Sequence, residues 1–318
     1  MKLLVKSLLT AVFMAVSLAA FGSVAVAQET DDQAKIDIYK KFVANREPNP
    51  RVAYQAAKDY LQKYTKDKDQ YVDYLKRWVA AFESDERKDN LPGLINEKKF
   101  DEAYKTGATI LAAEPDYLRA QIDLGYAGYL AASAKNETHN AVALGYATKA
   151  IQAIEAGKAP HDWAPFKGKD DTLAYLNYAV GFLTLKTDPT KAIDYLLKAA
   201  QYNSEIKKTP STYYFLAAAY ESGPYKTMSA AYQAEHAGKP ETPAGKAALE
   251  KLNVMMDRII DAYARAVAAT GTDPKAEQTR KEWTAQLSNY YKFRHDGSDA
   301  GMTEFINTIL QKPLPPKP

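Results

Sequence analysis

The chain has no cysteine among its 318 residues, and this absence limits both its chemistry and its means of stabilisation. Without cysteine there are no disulfides, no thiolate metal ligands and no thiol nucleophile. A bacterial lipoprotein anchor is excluded as well, because that anchor is attached through a cysteine. We therefore expect the folded chain to be stabilised by packing alone.

Histidine is scarce, and the sequence lacks the spacings typical of catalytic or metal sites. The chain has 4 histidines, and none has a histidine partner three or four residues away, the spacing at which a helix presents a metal-binding pair. No phosphate-binding loop is present, since Gly238 and Gly245 are too far apart for the P-loop spacing. We therefore expect no metal, no cofactor and no enzymatic activity.

The N-terminal stretch, residues 1–27, has the layout of a cleavable secretory signal peptide. It combines a basic start at Lys2 and Lys6, an apolar run and a small-residue end at positions 25–27, which predicts cleavage before Gln28. An uncleaved anchor is the alternative, because a run of about 20 residues can just span a bilayer. Cleavage would give a periplasmic or secreted protein without a membrane span.

The charge of the chain is nearly balanced once this leader is removed. Loss of Lys2 and Lys6 leaves 40 basic against 39 acidic residues, a net charge of +1. This balance argues against nucleic acid or an anionic membrane surface as the main partner. A protein or peptide partner is expected instead, and the oligomeric state is left open.

Strand signals are also missing, whereas helix starts are easy to recognise. Alternating Val, Ile and Thr bounded by Asn-Gly or Asp-Gly turns do not occur, so an all-α fold is predicted. A capping residue followed by proline is typical of a helix N-terminus, because the cap accepts a free backbone N–H and proline needs no donor there. Such pairs are Asn49-Pro50, Asp188-Pro189, Thr209-Pro210, Thr242-Pro243 and Asp273-Pro274.

Thirteen helices are predicted, with consecutive helices pairing as antiparallel hairpins. Their approximate ranges are 32–45, 50–65, 69–90, 100–113, 116–133, 138–156, 170–186, 189–203, 210–221, 226–237, 243–270, 274–294 and 299–311. Longer connections are expected at 157–170 and in the region around Gly223-Pro224 with Gly238-Lys239-Pro240. The Pro-rich tail, residues 313–318, cannot be helical and is expected to be extended and mobile.

A pattern of small and large residues recurs along the middle of the chain. One motif is complete at Tyr213, Leu216, Ala217 and Tyr220, and partial at Leu124-Gly125 and at Tyr178, Ala179 and Phe182. A second motif is formed by Ala192, Leu196 and Ala199, with looser versions near Ala103, Ala143 and Tyr263. These residues resemble the first and second helices of tetratricopeptide-repeat (TPR) proteins, whose repeat has about 34 residues.

The resemblance implies an all-α superhelix, a TPR-like solenoid of stacked helix pairs with irregular loops and insertions. Insertions are expected because the second-helix alanines at 103, 143 and 192 are spaced more widely than the family's repeat. The organisation predicted is a signal peptide (1–27), an N-terminal helical region (28–99), a TPR-like repeat region (100–270), C-terminal helices (271–312) and the tail (313–318).

The resemblance also implies a concave groove whose inner wall is built mainly by first helices. The residues placed in it are Arg119, Asp123, Tyr126, Tyr129, Leu176, Asn177, Val180, Tyr214, Ala218 and Glu221. This set is aromatic and nearly uncharged, which suits a hydrophobic or peptide ligand better than an acidic tail. The alternative for the tyrosines is packing between repeats.

Two further residues, Trp163 and Phe166, lie in the 157–170 connection. If exposed they would be interface anchors, and the alternative is that they close the core at the end of a helix pair. We thus expect an exported scaffold or adaptor that binds a protein or peptide in its groove. The alternative function is a carrier of a small molecule or glycan fragment in a pocket near the 157–170 connection.

Overall fold

The computed structural model describes residues 24–67 and 69–317, with side chains from residue 31 onward, and all regular structure in these residues is helical. The all-α prediction is therefore confirmed for the described part of the chain. The α-helices are α1 (Val24–Asn45), α2 (Pro50–Tyr64), α3 (Gln70–Asn96), α4 (Phe100–Ala113), α5 (Leu118–Ser133), α6 (Asn140–Glu155), α7 (Lys169–Thr184), α8 (Pro189–Gln201), α9 (Pro210–Tyr220), α10 (Lys226–Glu235), α11 (Pro243–Ala269), α12 (Glu277–Arg294) and α13 (Met302–Ile309).

The predicted signal peptide falls largely on residues outside the described part of the chain. Residues 1–23 are not described, and residues 24–27 form the start of α1. The proposed cleavage point before Gln28 thus lies within the first two turns of this helix. Cleavage itself stays a prediction.

The chain divides into two compact units, and the division between Asp85 and Glu86 falls within α3. The first unit contains α1, α2 and the beginning of α3. The alanines at 53, 56 and 57 share one face of α2 with Tyr60 and are buried with it, as expected for an amphipathic helix. Phe42 of α1 and Leu75 of α3 belong to the same core.

The second unit, from Glu86 onward, is organised as packed helix pairs. The extensive pairings are α5 with α6, α7 with α8 and α9 with α11, and α7 also packs against α5, α6 and α9. The prediction that consecutive helices pair is wrong for α9, because its main partner is α11 and not α10. The remaining core of this unit includes α12 and α13, which both pack on α11.

Small residues allow the helices of a pair to approach closely. A Cβ atom added to Gly125 would lie 2.7 Å from the Cα of Ala147, and one added to Gly128 would lie 2.2 Å from the Cβ of Ala143. Both glycines are on α5 and both alanines on α6, so the backbones meet with no room for a methyl group. This packing explains why glycine occurs inside a helix, where it otherwise costs stability.

The predicted N-terminal caps are confirmed at three of the five positions. Asp188 accepts a hydrogen bond from the Lys191 N–H (3.0 Å), Thr242 from the Gly245 N–H (3.0 Å) and Asp273 from the Lys275 N–H (2.9 Å). The prediction is wrong for Asn49 and Thr209, which make no side-chain cap. The Thr209 hydroxyl instead donates to the carbonyl of Glu205 (3.0 Å).

Helix α3 continues beyond the predicted end near residue 90 and contains Pro92. Proline lacks a backbone donor and normally interrupts a helix. Leu91 and Ile95, which flank it, are both buried in the core beside Phe100. Tertiary packing on this face therefore keeps α3 helical, although Pro92 and Gly93 both disfavour the interior of a helix.

The Gly223-Pro224 pair does not form the predicted connection between two helices. Residues Glu221–Tyr225 form a π-helical turn that joins α9 directly to α10. Pro224 removes one α-helical hydrogen bond and crowds the preceding turn, and a wider π turn is a common response to such a disruption. Gly223 faces α8, where an added Cβ would lie 2.9 Å from the Cβ of Pro189.

The described tail residues, 313–317, are not helical, as predicted, and they make contacts with the second unit. Arg265 is 3% exposed and donates to the carbonyl oxygens of Lys312 (3.1 Å) and Pro313 (2.8 Å). Asp261 Oδ1 accepts a hydrogen bond from Nε of the same guanidinium (2.6 Å). Lys317 reaches Asp194 on α8 (2.6 Å). The sequence does not predict these contacts, because it cannot show that a buried arginine binds the carbonyls of Lys312 and Pro313.

The close approach of α5 and α6 predicts that Gly125→Ala destabilises the fold. The added methyl would meet backbone atoms of Ala147 that cannot rotate away, so we expect a loss of about 1–3 kcal/mol in the free energy of unfolding. Gly145→Ala on α6 is the matched control, since nothing lies within 4 Å of its Cβ position, and it should gain up to about 1 kcal/mol. Chemical unfolding followed by circular dichroism measures both. Equal effects of the two substitutions would contradict the packing described.

Deletion of residues 313–318 is predicted to destabilise the second unit. Arg265 would keep its buried position and its Lys312 partner but lose the carbonyl of Pro313, and a hydrogen bond to a charged group contributes about 1.5–3 kcal/mol. Lys317→Ala, which removes only an exposed ion pair, should cost less than about 1 kcal/mol. A thermal unfolding midpoint that is unchanged by the deletion would show that the tail does not stabilise the fold.

Candidate functional site

The first pair of predicted groove residues, Arg119 and Asp123, forms an ion pair on α5. Arg119 Nε lies 2.8 Å from Asp123 Oδ2, and Asp123 is only 7% exposed. Arg119 Nη1 also donates to the carbonyl of Asp162 (3.3 Å) in the 157–170 connection. The pair thus ties that connection to α5.

Burial raises the pKa of the Asp123 carboxyl to about 6, although the neighbouring Arg119 opposes the shift and Asp162 adds to it. The cost of removing a carboxylate from water therefore exceeds the stabilisation that the guanidinium gives it. Asp123 is buried between structural elements, so its prediction as a groove residue is wrong.

The predicted groove tyrosines of α5 fill the interface with α7. The Tyr126 ring centroid lies 5.4 Å from that of Tyr175, and the Tyr129 centroid lies 5.0 Å from that of Tyr178, both edge to face. This is the favoured geometry for aromatic pairs in cores. These two tyrosines correspond to the alternative interpretation, packing between successive helix pairs.

The α7 residues predicted for the groove are buried. Asn177, Leu176 and Val180 are each 0% exposed, and the Asn177 amide nitrogen donates to the carbonyl of Leu173 (2.7 Å). The prediction is wrong for these three residues because α7 packs against α5, α6, α8 and α9, which cover them. Asn177 therefore does not face solvent or a ligand.

Trp163 and Phe166 close the core instead of presenting an exposed surface. Phe166 is 8% exposed, and its ring centroid lies 5.5 Å from that of Tyr126 and 5.3 Å from that of Tyr175. Trp163 is half-buried against the same cluster. The prediction of interface anchors is wrong for Phe166, and its ring occupies space beneath the connection where a carrier pocket was expected.

An open cleft of about 1250 Å³ lies in the second unit at the π-helical turn. Two predicted groove residues, Tyr214 and Glu221, line it, as does Ala218, which the sequence also places there. The walls come from the α7–α8 connection, the start of α8, α9, the π turn, α10, α11 and α12. Its aromatic lining residues are Tyr214, Tyr225, Tyr263, Trp283 and Tyr290, and its charged and amide residues include Lys186, Glu221, Lys226, Gln233, Glu282 and Gln286.

The cleft aromatics are arranged in ordered contacts. The rings of Tyr214 and Trp283 stack with centroids 4.7 Å apart and planes 12° from parallel. Tyr263 and Tyr290 lie nearly parallel at 6.2 Å, and Tyr225 meets Tyr290 edge to face at 6.0 Å. Such mutual contacts hold the rings in fixed orientations and keep the cost of ordering them for a ligand low.

Glu221 is a half-buried carboxylate among these rings. The Tyr263 hydroxyl donates to Glu221 Oε2 at 3.1 Å. Burial and then Glu221 raise the pKa of both Tyr263 and Tyr290 well above the usual tyrosine value, so both hydroxyls keep their protons at neutral pH. The site therefore combines aromatic faces, hydroxyl donors and one carboxylate.

The residues predicted from the sequence do not include the cleft residues of α12 or Tyr225 of the π turn. Trp283, Gln286 and Tyr290 follow a helical spacing of three and four residues on one face of α12, and this periodicity was the available signal. It was overlooked because α12 lies outside the region that resembles the repeat family. Tyr225 was assigned to a connection between helices.

Residues 24–67 and 69–317 were considered for a metal centre and for a membrane-spanning helix, and they contain neither. No cluster of three or more His, Cys, Asp or Glu side chains in this part of the chain is suited to a metal ion. None of its helices is both long and apolar enough to cross a membrane.

Comparisons with known proteins give no relative for this chain. No protein-family model matches it, and neither the curated proteins nor the solved structures searched contain a significant match.

The raised pKa of Asp123 predicts a specific pH dependence of stability. Between the unfolded value of 3.8 and the folded value of about 6, the folded chain binds more protons than the unfolded chain, so this group's contribution to stability falls as pH rises. The Asp123→Asn variant has no ionisable group at this position. Its free energy of unfolding should therefore fall by about 1–3 kcal/mol less than that of the parent protein when the pH is raised from 4.5 to 7. Unfolding free energies at the two pH values measure this. Asp116→Asn, at an exposed site, is the control and should show the same pH dependence of stability as the parent protein. If Asp123→Asn also shows the parent's pH dependence, the raised pKa of Asp123 is contradicted.

Proposed function

We propose that this chain is an exported, non-catalytic adaptor that binds a protein or peptide partner, with the aromatic cleft as its binding site. The observation that carries the proposal is the open cleft, in which five aromatic side chains line a space of about 1250 Å³. Aromatic residues dominate the binding energy of protein interfaces when a partner covers them. The volume exceeds that of a typical site for a small ligand.

The pairing of helices supports a TPR-like solenoid as the architecture of residues 100–270. The helices that resemble first helices, α5, α7 and α9, adjoin one another in that order, and each packs against a helix with second-helix features. In such an architecture the first helices line the ligand-binding side. The cleft lies beside α9, the helix with the complete first-helix motif.

A binding role is supported by the side chains in the cleft. The Ser222 hydroxyl donates to the carbonyl of Ala218 (2.7 Å), so it is not oriented by a general base as a catalytic nucleophile would be. Export is supported by the layout of residues 1–27. A periplasmic or secreted location is part of the same proposal.

Glycan binding is a second candidate function of the same cleft. Stacked rings such as Tyr214 and Trp283, together with the amides of Gln233 and Gln286, would also suit sugar rings and hydroxyls. The predicted carrier pocket near the 157–170 connection is not retained, because Phe166 is buried there. The chemical nature of the captured molecule separates the two candidates.

Photo-crosslinking from the cleft tests the proposed function. A photoreactive amino acid at Gln286, which lines the cleft, should crosslink a defined extracytoplasmic protein in intact cells, and Trp283→Ala in the same chain should abolish the crosslink. Gln152, an exposed residue of α6, is the matched control position and should give no such product. Crosslinks of equal yield at both positions, or a glycan as the product from Gln286, would contradict the proposal.

A further inference from the structure

The carboxylate of Glu221 indicates which kind of side chain the cleft would bind in a partner. This inference rests on the proposed function. Glu221 lies half-buried in the π turn and accepts a hydrogen bond from Tyr263 (3.1 Å). Among the described residues, no Lys, Arg or His side chain forms an ion pair with it. A carboxylate in a partly desolvated site is costly unless it is paired, so a positively charged ligand group would complete the site.

The aromatic faces around Glu221 are likewise free of cations. In the described part of the chain, lysine lies over aromatic rings at several other positions, such as Tyr117 and Tyr195, but at none of the cleft rings. Aromatic faces attract a cation through the negative potential of the ring. The aromatic rings and the carboxylate of Glu221 thus both favour a positively charged ligand.

The two lysines of the cleft do not neutralise this preference. Lys186 points to Glu137, with Nζ 2.8 Å from Oε1. Lys226 is exposed on α10 and makes no ion pair with a described acidic residue. Solvent screens exposed lysines, whereas the half-buried Glu221 is screened less.

We propose that the cleft binds a basic side chain of an extended partner peptide, an arginine or lysine, between the aromatic rings of Tyr214, Trp283, Tyr263 and Tyr290 and the carboxylate of Glu221. A guanidinium suits the site especially well, because it is planar, stacks on aromatic faces and donates two parallel hydrogen bonds to a carboxylate. An acidic peptide would place a negative charge against Glu221. A neutral sugar would leave the carboxylate without a counter-charge.

Binding of two probes of equal shape tests this proposal. N-acetyl-arginine amide carries the charge, and N-acetyl-citrulline amide replaces the guanidinium by a neutral urea. Trp283 emission reports occupancy when the other 2 of the chain's 3 tryptophans, Trp78 and Trp163, are replaced by Phe. We expect the arginine probe to bind roughly ten-fold more tightly than the citrulline probe, and the difference to shrink as salt is added.

Glu221→Gln is the decisive variant, because it keeps an acceptor for Tyr263 and removes only the charge. It should abolish the preference for arginine while leaving the thermal unfolding midpoint nearly unchanged. Glu277→Gln is the matched control, since Glu277 is exposed at the start of α12 and does not line the cleft. It should change the preference less than about two-fold.

The possible failures are distinguishable. Equal binding of both probes, or an arginine preference that survives Glu221→Gln, would overturn the basic-ligand inference and leave the peptide-binding function standing. A chito-oligosaccharide that shifts Trp283 emission when the arginine probe does not would also overturn the inference. Absence of a cleft crosslink at Gln286 would reject the proposed function itself.

Discussion

Close contact between helix backbones is the constraint on which the second unit depends. Gly125 and Gly128 of α5 meet Ala147 and Ala143 of α6 at distances that exclude even one additional methyl group. At α7 and α8, a Cβ atom added to Gly181 would fall 2.6 Å from the Cγ of Leu196. Close-packed interiors cannot absorb such volume without moving backbone. These contacts fix the spacing of the helix pairs, and the large side chains then fill what remains between them.

This arrangement explains why some tyrosines pack in the core and others line the cleft. Tyr126 and Tyr129 are packed against α7 because the next pair covers them. Tyr214 and Tyr263 belong to the pair formed by α9 and α11, where the π turn diverts the chain into α10. There the rings border an open cleft and α12 supplies the facing aromatic residues. The same residue type therefore packs the core at one pair and lines a candidate site at the next.

The sequence predicted the helices well because their signals are local. Cap-proline pairs placed the starts of α2, α8, α9 and α11, and the small residues of α4, α6 and α8 are buried as expected. The failures concern tertiary packing. Pro92 is held in a helix by its buried neighbours Leu91 and Ile95, and the tail is held by Arg265 from a distant part of the chain.

The candidate site was predicted only in part, for a related reason. Tyr214 and Glu221 could be placed from the motif in α9, because a repeat helix has a defined ligand-facing side. Asn177 could not, since burial of α7 depends on how many helices surround it. Trp283 and Tyr290 reach the cleft only through the packing of α12 on α11, and neither a motif nor a spacing in the sequence joins these two helices.

In the proposed site, helix packing leaves a carboxylate and aromatic rings open for a basic side chain. The most direct measurement is a crystal structure of the protein with N-acetyl-arginine amide. It is expected to show the guanidinium in the cleft, against the rings of Trp283 or Tyr290 and hydrogen-bonded to Glu221. A cleft in which Lys226 folds inward to pair with Glu221, leaving no place for the ligand, would contradict it.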